Sequence, residues 1–74
     1  MSKIDDYIIR KIKEKRIELN LSQMEFADMV NLSQSFIAHC ENPKQIAKYN
    51  INHVNDICSI LNIPIWDIIP QYPL

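Results

Sequence analysis

The chain has 74 residues, a formal net charge of −1, two cysteines and no glycine, which bounds it to one domain near the lower limit for folding on a single core, with no room for a separate sensor domain. No apolar run approaches the roughly eighteen residues that a membrane span requires. Cys40 and Cys58 belong to no CxxC pair and follow no signal-peptide pattern, so the expectation is a reduced, cytoplasmic protein with no membrane partner.

Asp5 and Asp6 near the start, with Lys and Arg filling the stretch that follows, give the polarity a helix dipole favours. Ile4, Ile8, Ile12 and Leu19 fall close to one stripe at helical spacing, which predicts an amphipathic helix over residues 3–19 with that stripe in the core. Next comes a repeated word. Leu19-Asn20-Leu21-Ser22-Gln23 returns eleven residues later as Val30-Asn31-Leu32-Ser33-Gln34. Each copy reads as one helix ending on a left-handed Asn and another opening on a Ser cap. Without glycine the asparagines become informative, because other residues lose roughly 1–2 kcal/mol in the left-handed region and Asn tolerates it. Asn20, Asn31 and Asn62 are therefore the predicted helix stops.

The second helix opens at Ser22, with Glu25 completing a capping box and Leu21 and Phe26 set as a hydrophobic staple. Phe26, Ala27 and Val30 face inward. The third opens at Ser33, where Leu32 and Ile37 stand in the same staple relation. Ile37 and Cys40 supply its buried side, which leaves Gln34, Ser35 and His39 on another face. Pro43 disfavours helical geometry at Asn42 and ends the element. Residues 43–49 read as a loop. Asn50 then caps a fourth helix with Ile51, Val54, Ile57, Cys58 and Leu61 at apolar spacing. Pro64 starts a short fifth helix over Ile65-Trp66-Asp67-Ile68-Ile69, closed by Pro70. No segment alternates long enough to be a strand, so the fold class is all-α.

A helix of about two turns fits between the two repeated words, the dimension of the first helix of a helix-turn-helix, and this points to DNA. The net charge argues against it, since a basic balance is the usual footprint. The distribution argues for it: residues 10–16 carry five positive charges and one negative, whereas residues 17–74 carry two, Lys44 and Lys48, against six acids. Acids more than a Debye length (about 8 Å) from a phosphate are largely screened. A basic face and a merely solvated helix face both remain open for the 10–16 run.

Ile12 to Ile69 resembles the Cro/repressor helix-turn-helix family of XRE type. The resemblance rests on Arg16 before the first helix ends, Leu21-Ser22-Gln23, Ala27, Glu41-Asn42 closing the third helix, and the small fifth element. The chain departs from the family pattern in carrying Asn rather than Gly at 20, 31 and 62, Pro43 where Gly follows Glu-Asn, and a longer 43–49 loop. The resemblance implies a five-helix, lambda-repressor-like DNA-binding domain over residues 1–70, with the helix-turn-helix at about 22–42 and a tail at 71–74. It implies base reading by Gln34, Ser35 and His39, and Gln has the matched donor and acceptor that the N6/N7 edge of adenine needs. Gln23, Asn42, Lys44, Lys48 and Lys13 are the expected phosphate contacts, while Ser33 is a cap. Arg16 and Glu41 are the expected structural pair. Ile46, Tyr49, Pro64, Ile65 and Trp66 are the expected dimer contact, with a core role equally open for Ile65, Ile68 and Trp66.

The implied activity is that of a transcription regulator, a repressor bound as a homodimer to a two-part operator in double-stranded DNA, with no enzyme activity and no cofactor. The alternative is an antitoxin or adaptor that uses the same fold to hold a partner protein. His39, Cys40, His53 and Cys58 are the remaining candidates for metal or nucleophilic chemistry. Zinc sites usually bring ligands in closely spaced pairs, and adjacent His39 and Cys40 point in different directions on a helix. No metal is expected, and no catalytic Cys–His pair.

Overall fold

A computed structural model describes residues 1–74. Its α-helices are α1 Lys3–Glu18, α2 Gln23–Val30, α3 Gln34–Glu41 and α4 Ile51–Leu61, followed by a single 3-10 turn at Ile65–Asp67. Every α-helix starts on a side-chain cap. Ser2 and Ser33 accept the N–H three residues on, and Ser22 with Glu25 closes a full capping box. Asn50 caps α4 in the same reciprocal way, with His53 in the Glu position: the His53 N–H donates to Asn50 Oδ1 at 2.8 Å and the Asn50 N–H to His53 Nδ1 at 3.0 Å.

The stops are backbone devices. Asn20, Asn31 and Asn62 have φ of 57°, 60° and 55°. Leu32 N–H then reaches back to the Ala27 carbonyl and Ile63 N–H to that of Cys58, each at 3.0 Å, satisfying carbonyls that the helix ends would orphan. Asn31→Val is expected to cost about 1–2 kcal/mol, since a β-branched residue resists the left-handed region, while Asn31→Gly stays within about 0.5 kcal/mol of the parent. Urea unfolding of both variants checks this; an equal loss in the two would assign the effect to the Asn side chain instead.

Helix α2 packs on α3 and α4, α1 packs on α3, and the 3-10 turn closes over α4. Ile12, Phe26, Ile37, Val54, Ile57 and Ile68 are fully buried at the centre. Cys40 and Cys58 are free and buried. Leu21 and Leu32, the residues ahead of the Ser caps, pack partly buried against this core, as a staple requires.

Three expectations are corrected. The fifth helix is a three-residue 3-10 turn, so the fold has four α-helices. Pro64 is extended (ψ 148°) and Pro70 disfavours helical geometry at Ile69, leaving too few residues between the prolines for an α-helix to propagate. Within the 3–19 stripe only Ile8 and Ile12 are buried, and Ile4 and Leu19 are 40% and 48% exposed. These two sit at the ends of α1, beyond the helices packed against its middle. Tyr49 is 3% exposed and belongs to the core rather than to a dimer contact. It stacks edge-on against Phe36 at 5.6 Å and lies near His53. Trp66, for which core and dimer contact are both open from sequence, is 58% exposed.

Candidate nucleic-acid interface

The Ser33 hydroxyl accepts the Phe36 N–H at 3.0 Å and sets the first turn of α3. Ile37 and Cys40 anchor one side of the helix in the core, so Gln34, Ser35 and His39 are exposed on the rest. Those three side chains form the face that sequence reasoning assigned to base reading.

What holds that face is a chain of hydrogen bonds crossing three helices. Arg16 on α1 grips Glu41 at the end of α3 with two parallel bonds, Nε to Oε2 and Nη2 to Oε1, both 2.8 Å. Its third nitrogen, Nη1, donates to the Leu21 carbonyl in the α1–α2 turn at 2.8 Å. Gln23 Nε2 on α2 also donates to Glu41 Oε1, at 3.1 Å, and Gln34 Nε2 donates to Gln23 Oε1 at a longer 3.4 Å. The direction of this chain follows from chemistry. A carboxylate only accepts, so Gln23 turns its NH2 to Glu41 and its oxygen to Gln34. Gln34 is left with its own Oε1 and one N–H free toward solvent, the pair that adenine recognition uses.

The Arg16 and Glu41 side chains are only 13% and 4% exposed. Burial alone pushes the Glu41 carboxyl up, but the bonds from Arg16 and Gln23 and the charges of Arg16 and Lys13 outweigh it and bring the carboxyl below its ordinary value. The same bond raises the Arg16 guanidinium. A pair this well matched orients the helices it joins, while desolvation offsets much of its attraction.

The expected phosphate contacts divide. Asn42, Lys44 and Lys48 line one open groove of about 840 Å³ between the end of α3 and the start of α1, together with Glu41, Asp5 and Asp6. Asn42 Oδ1 accepts the Lys44 N–H at 3.0 Å, an Asx turn that shapes the segment after α3. Lys44 and Lys13 are exposed and free of any ion pair, and Lys13 does not line the groove. Lys48 instead faces Asp5, with Nζ 3.6 Å from Oδ2. The basic run on α1 is largely neutralised in place: Arg10 and Lys11 pair with Glu14, and Lys15 with Glu18 and Asp67. Only Lys13 and the Glu41-bound Arg16 remain for the interface, so the run is mostly a solvated, self-paired helix face.

The Gln23–Glu41 and Gln23–Gln34 bonds, the Leu21 carbonyl and the Asp5–Lys48 pair were not foreseen from sequence. Their partners lie five to forty-three residues apart, and no local pattern announces them. The four candidate metal ligands do not converge: His39 is exposed, Cys40 and Cys58 are buried, and His53 stacks on Phe36 at 5.0 Å. Burial pushes the Cys40 thiol up to about 11, which leaves it protonated and unreactive at neutral pH.

A family model described as a helix-turn-helix domain matches residues 9–72. No curated protein matches the chain.

Proposed function

Because the chain belongs to the helix-turn-helix domain family, we propose that it is a sequence-specific DNA-binding transcription regulator of the Cro/repressor kind. The observation that carries this reading is the outward face of α3. Gln34, Ser35 and His39 are exposed on a helix that Arg16 of α1 and Gln23 of α2 hold in place through its own Glu41. A surface that is polar, rigid and borne on a helix of two turns fits a major groove. Gln23, Asn42, Lys44 and Lys13 stand beside it for the phosphate backbone, which positions without specifying.

One such helix reads only a few base pairs, so a dimer on two half-sites about 34 Å apart is the working form. Ile46 is 91% exposed, and Pro64, Ile65 and Trp66 also lie on the surface; they supply the dimer contact. Trp66→Asp is expected to leave the fold intact and weaken dimerisation and operator binding about tenfold or more, the scale of losing an aromatic anchor. Sedimentation equilibrium beside a DNA titration checks this. Repression is the simplest output, since a body seated on an operator excludes other proteins from the same duplex. The setting is the cytoplasm, and no helix is long and apolar enough to cross a membrane. No enzyme activity belongs to this reading.

Selection of bound duplexes from a random pool tests the proposal directly. Enrichment of a two-part sequence is the expected result, and no enrichment at low salt overturns it. Lys44→Ala should weaken all duplexes alike and lower the slope of log affinity against log salt by about one. A second reading, an antitoxin or adaptor that holds a partner protein, draws on the net charge of −1 and the internal pairing of most of the α1 cations. Salt-insensitive or absent DNA binding at about 50 mM salt would favour it.

A further inference from the structure

The groove beside the recognition helix holds charges of both signs. Lys44, Lys48 and Asn42 come from the segment after α3, and Asp5 and Asp6 from the first turn of α1. Their roles differ. Asp5 accepts the Ser2 hydroxyl at 2.7 Å on the oxygen, Oδ2, that also faces Lys48 Nζ at 3.6 Å. Asp6 makes no ion pair, although it carries the same charge one residue away. The Asp5 side chain is 17% exposed and that of Lys48 60%, so a partly buried, anchored acid faces a solvent-exposed base. The Ser2 hydroxyl and, after it, Lys48 keep the Asp5 carboxyl below its ordinary value, against the effect of burial.

We infer that Asp5 is a brake on the phosphate contact: by pairing with Lys48 it withdraws one of the two lysines that follow the recognition helix and so holds down affinity for DNA of any sequence. The inference rests on the DNA-binding reading above. It has a physical consequence for specificity in the cell, where competing nonspecific sites limit how much of a regulator is free to find its operator. With Lys48 paired, the uncommitted cations near α3 are Lys44 and Lys13, and neutral donors carry the rest of the backbone contact. Releasing Lys48 adds a phosphate contact that every duplex offers equally.

The test compares Asp5→Asn with Asp6→Asn, two variants with the same change in net charge. Only the first frees Lys48, and Asn at position 5 still offers an oxygen to the Ser2 hydroxyl. Binding is read by fluorescence anisotropy on a short labelled duplex of random sequence across a salt series, with circular dichroism to confirm that each variant is folded. Asp5→Asn should bind about fivefold tighter than the parent at about 50 mM salt, with a log–log salt slope steeper by about 0.9. That slope shrinks the advantage about 3.5-fold between roughly 50 and 200 mM. Asp6→Asn should show a smaller gain and an unchanged slope. In a Lys48→Gln background the excess effect of Asp5→Asn should vanish.

Equal gains from the two Asp variants, or an Asp5→Asn effect that survives Lys48→Gln, would overturn the brake while leaving DNA binding itself established. A loss of affinity in a folded Asp5→Asn protein would overturn it too, by showing that the pair positions Lys48 productively. Absence of DNA binding in the parent and all variants would instead overturn the functional reading, and the brake with it.

Discussion

Glu41→Ala is expected to remove a large part of the stability of the domain and to weaken operator recognition. The change strands the Arg16 guanidinium, whose side chain is 13% exposed, without the carboxylate that its Nε and Nη2 grip. Removing one partner of a fully buried pair costs about 3–5 kcal/mol, and this part-buried pair falls at or below the lower end of that range, about 2–3 kcal/mol. A domain of 74 residues has roughly 4–11 kcal/mol in total at typical per-residue stability, so the loss is a large fraction of it. Urea denaturation followed by circular dichroism measures the effect. Replacing both partners, Arg16→Met with Glu41→Leu, separates stability from recognition. Apolar groups of similar volume avoid the desolvation penalty, so the double variant should be as stable as the parent or more so. It should still discriminate poorly between duplexes, because Gln23 loses the acceptor that sets its orientation. A double variant that folds and discriminates like the parent would show that the pair does nothing for the recognition helix.

The same pair sets an acid limit. The Glu41 carboxyl lies lower in the folded protein than its ordinary value of 4.5, so the folded state binds fewer protons than the unfolded state in that range. The stability this supplies is complete above about pH 4.5 and declines as pH falls through the lower, folded value. In the Arg16→Met, Glu41→Leu protein that part of the acid sensitivity should be gone.

Gln34→Ala should leave the fold untouched and reduce discrimination at one or two base positions by about 1–3 kcal/mol, or roughly five- to 150-fold. Gln34 is exposed, and its one bond within the protein, to Gln23, is 3.4 Å long, so little stability depends on it. Its remaining oxygen and N–H face solvent in the first turn of α3, where a base edge would meet them. The measurement is competition between duplexes differing at single positions, with the sequence recovered by selection as reference. A uniform loss across all duplexes, like that expected of Lys44→Ala, would move the base-reading face elsewhere on the helix.

How much of this was open to a reader of the sequence depended on the range of the interaction. Helix starts at Ser22, Ser33 and Asn50 and stops at Asn20, Asn31 and Asn62 were all inferred correctly, because a cap acts over three residues and a left-handed stop within one. The outward face of α3 was inferred for a related reason: Ile37 and Cys40 set the buried side, and helical periodicity places the rest. The Arg16–Glu41 pair spans 25 residues and came from family resemblance, since no local rule joins the two positions.

The order of the chain by itself determined the four helices, their boundaries and the exposed polar face of the third, since these follow from backbone geometry and bonds within one turn. Tertiary packing alone decided that Tyr49 lies in the core, that Ile4 and Leu19 stay partly exposed, and that Asp67 and Asp5 reach across the fold to Lys15 and Lys48. Whether a side chain is buried or a charge is neutralised depends on which helix crosses it. That crossing is set by the shape of the whole core, which no window of neighbouring residues contains.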